Sequence, residues 1–290
     1  MFRFHKDRLK EKLGKGRFGS VFAYQKDSND CKWVVKRIKA EDADFLLNCL
    51  QEIVLGFTCD HPCTVPIKGY FIEKAPDNEA FTIYMKLPRM KDTLLNDFNT
   101  RKKSRNPYIE DEIVRHFYSL VCGLGYLHSK KIYHGDIKPD NLLLDENGNL
   151  RIADVGIATH VRDEDMYQIF SGQKGTYRYS APEVMEDGVT KARLPKADIW
   201  SLGVVILELC IFGEKLPLNA LSPREEIQKT IRKLLENIQG KFRNSLTSLI
   251  KRILSVDPQE RPDLEEIRNE IEKNFSHALV NFLGSSLMKY

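Results

Sequence analysis

The sequence predicts an α+β chain in two unequal parts: a small antiparallel β lobe with one main helix, then a larger, mainly helical lobe. Short Val- and Ile-rich runs alternate with turns through the first part, which is typical of strands. After Thr93 the spacing of apolar residues changes to that of helices. The length of 290 residues fits one large or two small domains.

In the first part, the glycines Gly14, Gly16 and Gly19 divide a strand-like run into two pieces. The predicted helix has apolar residues at i, i+3 and i+4 and ends before His61-Pro62. The predicted strands are Lys12–Tyr24 (in two pieces), Lys32–Lys39, Thr64–Glu73 and Ala80–Leu87, and the predicted helix is Phe45–Phe57.

The second part begins with a long amphipathic helix, and a more apolar helix further along is expected at the centre of the core. A β lobe joined to a helical lobe leaves a cleft, where ligands tend to bind. The basic run Arg101–Arg105 is interpreted as a solvated loop, with a docking or anion-binding site as the alternative. The predicted helices are Ile109–Ser129, Asp198–Phe212, Glu225–Asn237, Phe242–Ser255 and Leu264–Glu272.

Composition excludes several classes of function. The hydrophobic fraction of 42%, charged fraction of 30% and net charge of +4 fit a globular protein with no nucleic-acid partner. The six cysteines form no C-x-x-C pair, and Cys59 and Cys63 lack the downstream partners of a zinc site, so reduced thiols in a cytoplasmic or nuclear protein are expected. The longest apolar run, Leu202–Phe212, is too short to cross a bilayer, and no membrane partner is expected.

Gly14–Val21 fits the pattern G-x-G-x-x-G-x-V, in which glycines let backbone N–H groups approach phosphates closely. A flexible turn or a dinucleotide-binding loop gives the same pattern. The dinucleotide-binding loop requires a helix directly after the glycines, whereas Val21–Tyr24 continues as a strand.

Lys36 lies in an apolar strand, where a buried ammonium group requires a negatively charged partner. Glu52 on the following helix and substrate phosphates are the candidates. The alternative is a solvated surface lysine.

His134–Asn141 carries the strongest chemical pattern. Asp136 is suited to orient and deprotonate a hydroxyl, Lys138 to neutralise a phosphoryl group and Asn141 to hold a divalent metal ion. Asp154, thirteen residues beyond Asn141, offers a second metal-binding carboxylate.

In this order, the motifs resemble those of a eukaryotic protein kinase catalytic domain over nearly the whole chain. Gly175–Glu183 resembles the segment that closes the activation loop, and Asp198 and Arg261 match two structural positions of the family. Lys138–Asn141 and Thr176 resemble the serine/threonine type. The resemblance implies a bilobal protein-kinase-like fold forming a single domain, divided into an N-lobe (1–87), a hinge (88–91), a C-lobe (92–275) and a tail (276–290).

The resemblance also implies roles. ATP would lie beneath the glycine-rich turn with its adenine against the hinge, where Met90 donates an N–H and Leu87 guards the rear pocket. Lys36, fixed by Glu52, would grip the phosphates, Asp154 and Asn141 would hold Mg²⁺ (or Mn²⁺), and Asp136 would receive the hydroxyl proton of a protein or peptide substrate. The implied ATP contacts are Leu13, Gly14, Lys15, Gly16, Arg17, Phe18, Gly19, Val21, Val34, Lys36, Leu87, Arg89, Met90 and Leu143.

Three departures from the family concern regulation. Gly135 replaces an arginine that commonly pairs with a phosphorylated activation-loop residue, so activity without activation-loop phosphorylation is expected. Val155 and Gly56 stand where the family has bulky apolar residues, which predicts a looser stack around them or one filled by Phe57.

Two further acidic features concern regulation and substrate choice. The acidic run Asp163–Asp165 is interpreted as an exposed loop, with phosphate mimicry as the alternative. Asp140 offers a carboxylate to a basic substrate residue.

The competing functional interpretation is a pseudokinase, a scaffold that binds nucleotide or partners without turnover. A lipid or small-molecule kinase is a lesser alternative, because Gly175–Glu183 resembles a peptide-binding segment.

Overall fold

A five-stranded antiparallel sheet and one helix make up the smaller part of the protein. The computed structural model describes residues 4–16, 19–25, 32–74, 80–154, 159–160, 167–168, 177–185, 192–212 and 216–282. The sheet has the order β1-β2-β3-β5-β4. Its strands are β1 (Leu9–Gly16), β2 (Gly19–Tyr24), β3 (Trp33–Ala40), β4 (Gly69–Lys74) and β5 (Phe81–Pro88), and the helix is α1 (Ala43–Thr58).

Helix α1 begins at a side-chain cap and packs one apolar face on the sheet. The carboxylate of Asp42 accepts a 2.7 Å hydrogen bond from the N–H of Phe45, which satisfies one of the free donors of the first turn. Cys49 and Ile53 are buried against Ile38 and other sheet residues. This packing places Glu52 on the buried side of the helix, where it is 7% exposed.

The register of β3 positions Lys36. Lys36 lies opposite Val21 on β2 and Met85 on β5. It is therefore on the central strand of the sheet. The same register pairs Val34 with Leu87.

The larger part is mainly helical, with short strands between the helices. Its strands are β6 (Asp92–Thr93), β7 (Ile132–Tyr133), β8 (Leu142–Leu144), β9 (Leu150–Ile152), β10 (Thr159–His160), β11 (Tyr167–Gln168) and β12 (Ala192–Arg193). Its helices are α2 (Leu94–Ser104), α3 (Glu110–Ser129), α4 (Pro182–Met185), α5 (Leu194–Cys210), α6 (Arg224–Ile238), α7 (Asn244–Ile253) and α8 (Leu264–Phe282).

Helix α5 is buried on nearly all sides, as its largely apolar sequence predicts. Together with α3, it forms the centre of the largest hydrophobic core. The predicted α+β architecture, a β lobe followed by a helical lobe, is confirmed. Within the described residues, no helix combines the length and apolar composition that crossing a membrane requires.

Three differences from the predicted elements are the largest. Helix α2 was not predicted, and the interpretation of Arg101–Arg105 as a loop is wrong for Arg101 to Ser104, which form the end of this helix. The strand expected from Thr64 begins only at Gly69. Residues 276–282, expected in a tail, are helical and follow a kink in α8 at Phe275, where φ is −132°.

Candidate active site

Lys36 is the centre of a buried ion-pair cluster. Its Nζ lies 2.7 Å from Oε1 of Glu52 and 2.9 Å from Oδ1 of Asp154. The exposed fractions of the side chains of Lys36 and Glu52 are only 15% and 9%. The alternative of a solvated surface lysine is therefore wrong.

The two carboxylates determine the charge of Lys36. Burial would lower its pKa, but Asp154 and Glu52 outweigh burial and raise the pKa above its usual value, so the ammonium group is charged. Burial raises the pKa of Glu52. Burial also opposes ionisation of Asp154, but Lys36 outweighs it and lowers the pKa of Asp154. The cluster therefore presents a fixed cation beside an ionised carboxylate.

Asp136 is held by two neighbours in its own loop. Lys138 Nζ lies 2.5 Å from Oδ2 of Asp136. The side-chain amide of Asn141 donates to the backbone carbonyl of Asp136 at 2.8 Å and to its Oδ2 at 3.0 Å. Because the NH₂ group of Asn141 is used in this way, its carbonyl oxygen is the atom left for another partner.

The buried carboxylate of Asp198 fixes the backbone of this loop. Its carboxylate accepts hydrogen bonds from the N–H groups of His134 (2.9 Å) and Gly135 (2.8 Å), and lies 2.9 Å from Nε2 of His128. Burial raises the cost of ionising Asp198, but the hydrogen bond with His128 and the other donors outweigh it and lower its pKa. A buried anion thus anchors the two residues that precede Asp136.

Gly135 adopts φ = 72°. This left-handed conformation is free of strain for glycine and costs other residues about 1–2 kcal/mol. The N–H of Gly135 points at Asp198 in this conformation. The residue that departs from the family pattern therefore fits the backbone of the site.

His134 and Ala153 connect the loop to the segment that carries Asp154. The Nδ1 of His134 accepts from the N–H of Asp136 (3.2 Å), so Nε2 carries the proton donated to the carbonyl of Ala153 (3.0 Å). The N–H of Ala153 donates to the carbonyl of Asn141 at 2.9 Å. Asp154 follows with φ = 62°, an uncommon conformation for aspartate. Asp136, Asn141 and Asp154 are thereby held in one hydrogen-bonded unit.

The glycine-rich turn joins β1 to β2. A Cβ at Gly19 would lie 2.2 Å from the carbonyl oxygen of Arg37, so only glycine allows β2 to pair here. A Cβ at Gly14 would meet nothing within 4 Å, so packing against the described residues does not require this glycine. Gly16 pairs with Gly19 and Lys15 with Ser20 in the β1–β2 register. Arg17 and Phe18 lie outside the described residues.

The predicted hinge follows β5 and offers one open N–H donor. The N–H of Arg89 donates to Lys32 (2.8 Å) and that of Lys91 donates to Leu144 (2.8 Å). Pro88 has no N–H. In the described part of the chain, the N–H of Met90 has no hydrogen-bond partner.

Four of the apolar residues that the resemblance assigns to ATP are half-buried or exposed: Leu13, Val34, Leu87 and Leu143. Leu143 is half-buried between the fully buried Leu142 and Leu144, so it points away from the core. The exposed fraction of Leu13 is 41%. Val34 and Leu87 form a cross-strand pair at the hinge end of the sheet.

Glu183 and Arg261 form a buried bidentate ion pair. Two guanidinium nitrogens of Arg261 lie 2.6 and 2.8 Å from the carboxylate oxygens of Glu183. Arg261 also donates to the carbonyls of Ser255 and Lys196, and lies over the ring of Trp200 at 4.8 Å. This pair fixes the end of the segment that the sequence assigned to substrate binding. Thr176, assigned to the same segment, lies outside the described residues.

A family model described as the protein kinase domain matches residues 8–271. The chain belongs to the protein kinase domain family. It is 27% identical over 263 residues to the serine/threonine-protein kinase Nek6 of Oryza sativa subsp. japonica, covering 89% of this chain and 46% of that protein. It is 29% identical over 275 residues to the serine/threonine-protein kinase dst1 of Dictyostelium discoideum (90% and 34%). It is also 29% identical over 263 residues to CBL-interacting protein kinase 26 of Oryza sativa subsp. japonica (88% and 50%). The chain thus spans between 34% and 50% of the length of these relatives.

The stack around Gly56 in this kinase domain differs from the predicted one. A Cβ at Gly56 would lie 2.5 Å from Cδ1 of Ile67, so Ile67 occupies the space directly. The exposed fraction of Phe57 is 45%, and its ring contacts Tyr70 instead. The expectation that Phe57 fills the space is therefore wrong, and so is that of a loose stack at Gly56. Val155 lies outside the described residues, as do Ser171 and the acidic run 163–165.

The basic run also has a structural role that its composition did not predict. Arg101 lies 3.0 Å from Asp97 and 2.7 Å from Glu112 and covers the ring of Tyr108 at 4.2 Å. It therefore links α2 to α3. Lys102 and Lys103 are exposed, as a solvated face requires.

Sequence reasoning missed His128 and Arg178. His128 lies at the end of α3, six residues before His134, and contacts Asp198. The sequence signal that could have identified His128 is a polar residue in the last turn of a helix that is otherwise part of the core. Arg178 approaches Glu208 on α5, and this contact across the fold leaves no local sequence pattern. Among the described residues, no three His, Cys, Asp or Glu side chains group closely enough to bind a metal ion by themselves.

Proposed function

We propose that this kinase domain transfers the γ-phosphoryl group of ATP to serine or threonine hydroxyls of protein substrates. One observation carries the proposal. Asp136 with Lys138 and Asn141, and Lys36 with Glu52 and Asp154, are assembled in the same conformation, each group within ion-pair or hydrogen-bond distance of its partners.

The residues fit a magnesium nucleotide. Mg²⁺ prefers oxygen ligands and binds through one or two carboxylates plus phosphates. Asp154 supplies an ionised carboxylate, and Asn141 supplies a carbonyl oxygen because its NH₂ group is engaged by Asp136. When bound, Mg²⁺ (or Mn²⁺) neutralises phosphate charge. Lys36 provides a fixed cation for phosphates, and the open space at Gly14 allows close approach to the backbone.

The adenine would bind along the hinge through the N–H of Met90, the one hinge donor of residues 88–91 with no partner in the described chain. The apolar side chains of Leu13, Val21, Val34, Leu87 and Leu143 would surround the ring. The N–H of Arg89 is already used, so that residue contributes at most its carbonyl group and side chain.

In the transfer step, the substrate hydroxyl oxygen bonds to the γ-phosphorus as the bond from phosphorus to the β-phosphate oxygen breaks, releasing ADP. The carboxylate of Asp136 receives the hydroxyl proton, and Lys138 beside it neutralises charge on the phosphoryl group. The loop is preorganised by Asp198 and His134, so little reorganisation is required during the reaction.

We further propose that activity does not require activation-loop phosphorylation. Gly135 has no cationic side chain to pair with a phosphate, and the backbone around Asp136 is instead held by Asp198. Phosphatase-treated protein, shown by mass spectrometry to be unphosphorylated, is expected to be active. An inactive protein that is revived by phosphorylation at Thr159, Ser171 or Thr176 would refute this.

The alternative is a scaffold that binds nucleotide or partners without turnover, which Val155 and Gly135 favour as departures from the family pattern. Incubating wild-type protein and Asp136→Asn with Mg-ATP on an array of serine, threonine and tyrosine peptides separates the two. Signal from the wild type alone, on serine or threonine, is the expected result. Equal signal from both proteins means a contaminating kinase, and silence from both favours the scaffold. The cysteine pattern and the use of ATP make a cytoplasmic or nuclear location our expectation.

A further inference from the structure

Glu208, on the last turn of α5, is a buried carboxylate whose two oxygens are satisfied unequally. The hydroxyl of Tyr179 donates to Oε2 at 2.6 Å. Oε1 faces Nη1 of Arg178 at 3.6 Å, which is beyond normal hydrogen-bond distance. The ion pairs of Lys36 are 2.7 and 2.9 Å long. Among the described residues, Glu208 therefore has one short hydrogen bond and one loosely held cation.

A second carboxylate, that of Asp140 in the loop of Asp136, acts electrostatically on Glu208. Burial raises the pKa of Glu208, and the charge of Asp140 adds to this rise, while Tyr179, Arg178 and Lys102 oppose it. Asp140 is exposed and follows Lys138 by two residues, in a 3-10 helix at Pro139–Asn141. Glu208 and Asp140, called the acidic pair below, are therefore two carboxylates whose charges interact, and Asp140 belongs to the same loop as Asp136 and Lys138.

Arg178 reaches this acidic pair from a fixed stretch of backbone. The carbonyl of Tyr177 accepts from the N–H of Ala220 (3.0 Å), and that of Tyr179 accepts from the hydroxyl of Ser201 (2.8 Å). The side chain of Arg178 itself is 45% exposed. Its guanidinium group thus lies at the surface, on the segment assigned to peptide binding, where it interacts with Glu208 and with the hydroxyl of Tyr179.

We propose that Arg178 is a specificity-determining residue that occupies the place the acidic pair would otherwise offer to a basic substrate residue. The inference rests on the proposed activity towards proteins and defines the substrate class. Substrates with neutral or acidic residues at this position are accepted, and those with arginine or lysine there are disfavoured. The guanidinium group of Arg178 offsets one of the two negative charges, so the acidic pair attracts a basic substrate residue less strongly than two open carboxylates would.

The test compares serine peptide libraries that carry either arginine or glutamine at one fixed position, scanned over the positions flanking the serine. For wild type, the arginine-to-glutamine rate ratio is expected near or below one at every position. In Arg178→Ala, and in the second variant Arg178→Gln, the ratio is expected to rise about fivefold or more at one position. Arg178→Lys, which keeps the charge, is the matched control and should retain the wild-type profile.

The gained preference must depend on the acidic pair. Adding Glu208→Gln, which keeps a partner for Tyr179, or Asp140→Asn to Arg178→Ala should remove it. A ratio that stays within about twofold of wild type in both Arg178→Ala and Arg178→Gln refutes the inference while leaving the kinase activity established.

Peptide binding, measured by fluorescence anisotropy with a non-hydrolysable ATP analogue and Mg²⁺, separates the two proposals. If no variant phosphorylates any peptide but Arg178→Ala binds the arginine peptides more tightly than wild type, the specificity inference stands and the proposed activity fails. Equal binding by wild type and variant, without turnover, contradicts both.

Discussion

Gly56→Ala tests the close packing that holds α1 on the sheet. The new Cβ would lie 2.5 Å from Cδ1 and 2.6 Å from Cγ1 of Ile67, and 3.3 Å from its Cβ. Forcing a methyl group into such a site costs about 1–3 kcal/mol. Alanine in place of glycine inside a helix regains about 1 kcal/mol. The clash is larger, because two side-chain atoms of Ile67 are affected, and a net loss of about 1 kcal/mol is expected.

Gly125→Ala is the matched control. Gly125 also lies inside a helix, α3, but a Cβ there would meet nothing within 4 Å. This variant is expected to gain about 1 kcal/mol. The measurement is the free energy of unfolding from urea denaturation at 25 °C. If Gly56→Ala is stabilised as much as Gly125→Ala, the proposed contact with Ile67 is wrong.

A double-mutant cycle assigns the loss to Ile67. Removing the side chain of Ile67 by Ile67→Ala makes room for the new methyl group, so the two changes should be coupled by about 1 kcal/mol or more. Glu52 is one helical turn before Gly56 and binds Lys36. Gly56→Ala is therefore expected to weaken nucleotide binding as well, and Ile67→Ala should partly restore it.

Three further predictions concern stability and the loop backbone. Burial lowers the pKa of His116 to about 4, so the stability this residue contributes above pH 6.5 should be lost as the pH falls towards 4. Between pH 7.5 and 5, wild type should lose about 2 kcal/mol more than His116→Gln in urea unfolding, and equal losses would contradict this. Arg261→Ala leaves Glu183 buried without its partner and should lower the free energy of unfolding by about 3–5 kcal/mol. Adding Glu183→Leu to the same chain should recover part of this loss. A loss below about 1 kcal/mol for Arg261→Ala would contradict the prediction. Gly135→Ala forces alanine into the left-handed conformation and should cost about 1–2 kcal/mol and lower kcat, whereas unchanged stability would mean that φ is not constrained by Asp198.

The sequence predicted residues whose chemistry demands a partner. A lysine in an apolar strand needs a negatively charged partner, which predicts Glu52, and the ion pair between the two side chains confirms this prediction. The contact of Lys36 with Asp154 spans 118 positions along the chain. No local pattern gives such a contact, and the sequence did not predict it.

What the sequence missed depends on packing. Helix α2 escaped prediction because its sequence is polar, and Arg101 stabilises its end through Asp97 and Glu112 on two helices. Substitution of a bulky residue by Gly56 suggested lost volume, but the backbone of α1 approaches Ile67 instead, and the carbonyl of Gly56 accepts from the N–H of Ile67 at 3.1 Å. The resemblance indicates Met90 as the N–H donor of the hinge, but the physical reason is evident only in the fold, where the N–H groups of Arg89 and Lys91 are already used.

The central claim is that Asp136 performs chemistry in a site whose nucleotide-binding groups are independently assembled. The most direct measurement compares kcat and the Kd for Mg-ATP in unphosphorylated wild type and Asp136→Asn, using the best peptide from the array. The account predicts that kcat falls by about 10²–10⁴-fold. The Kd should stay within about threefold, because Lys36, Glu52 and Asp154 are untouched. Turnover by Asp136→Asn at the wild-type rate, or no turnover by wild type that binds Mg-ATP normally, would contradict it.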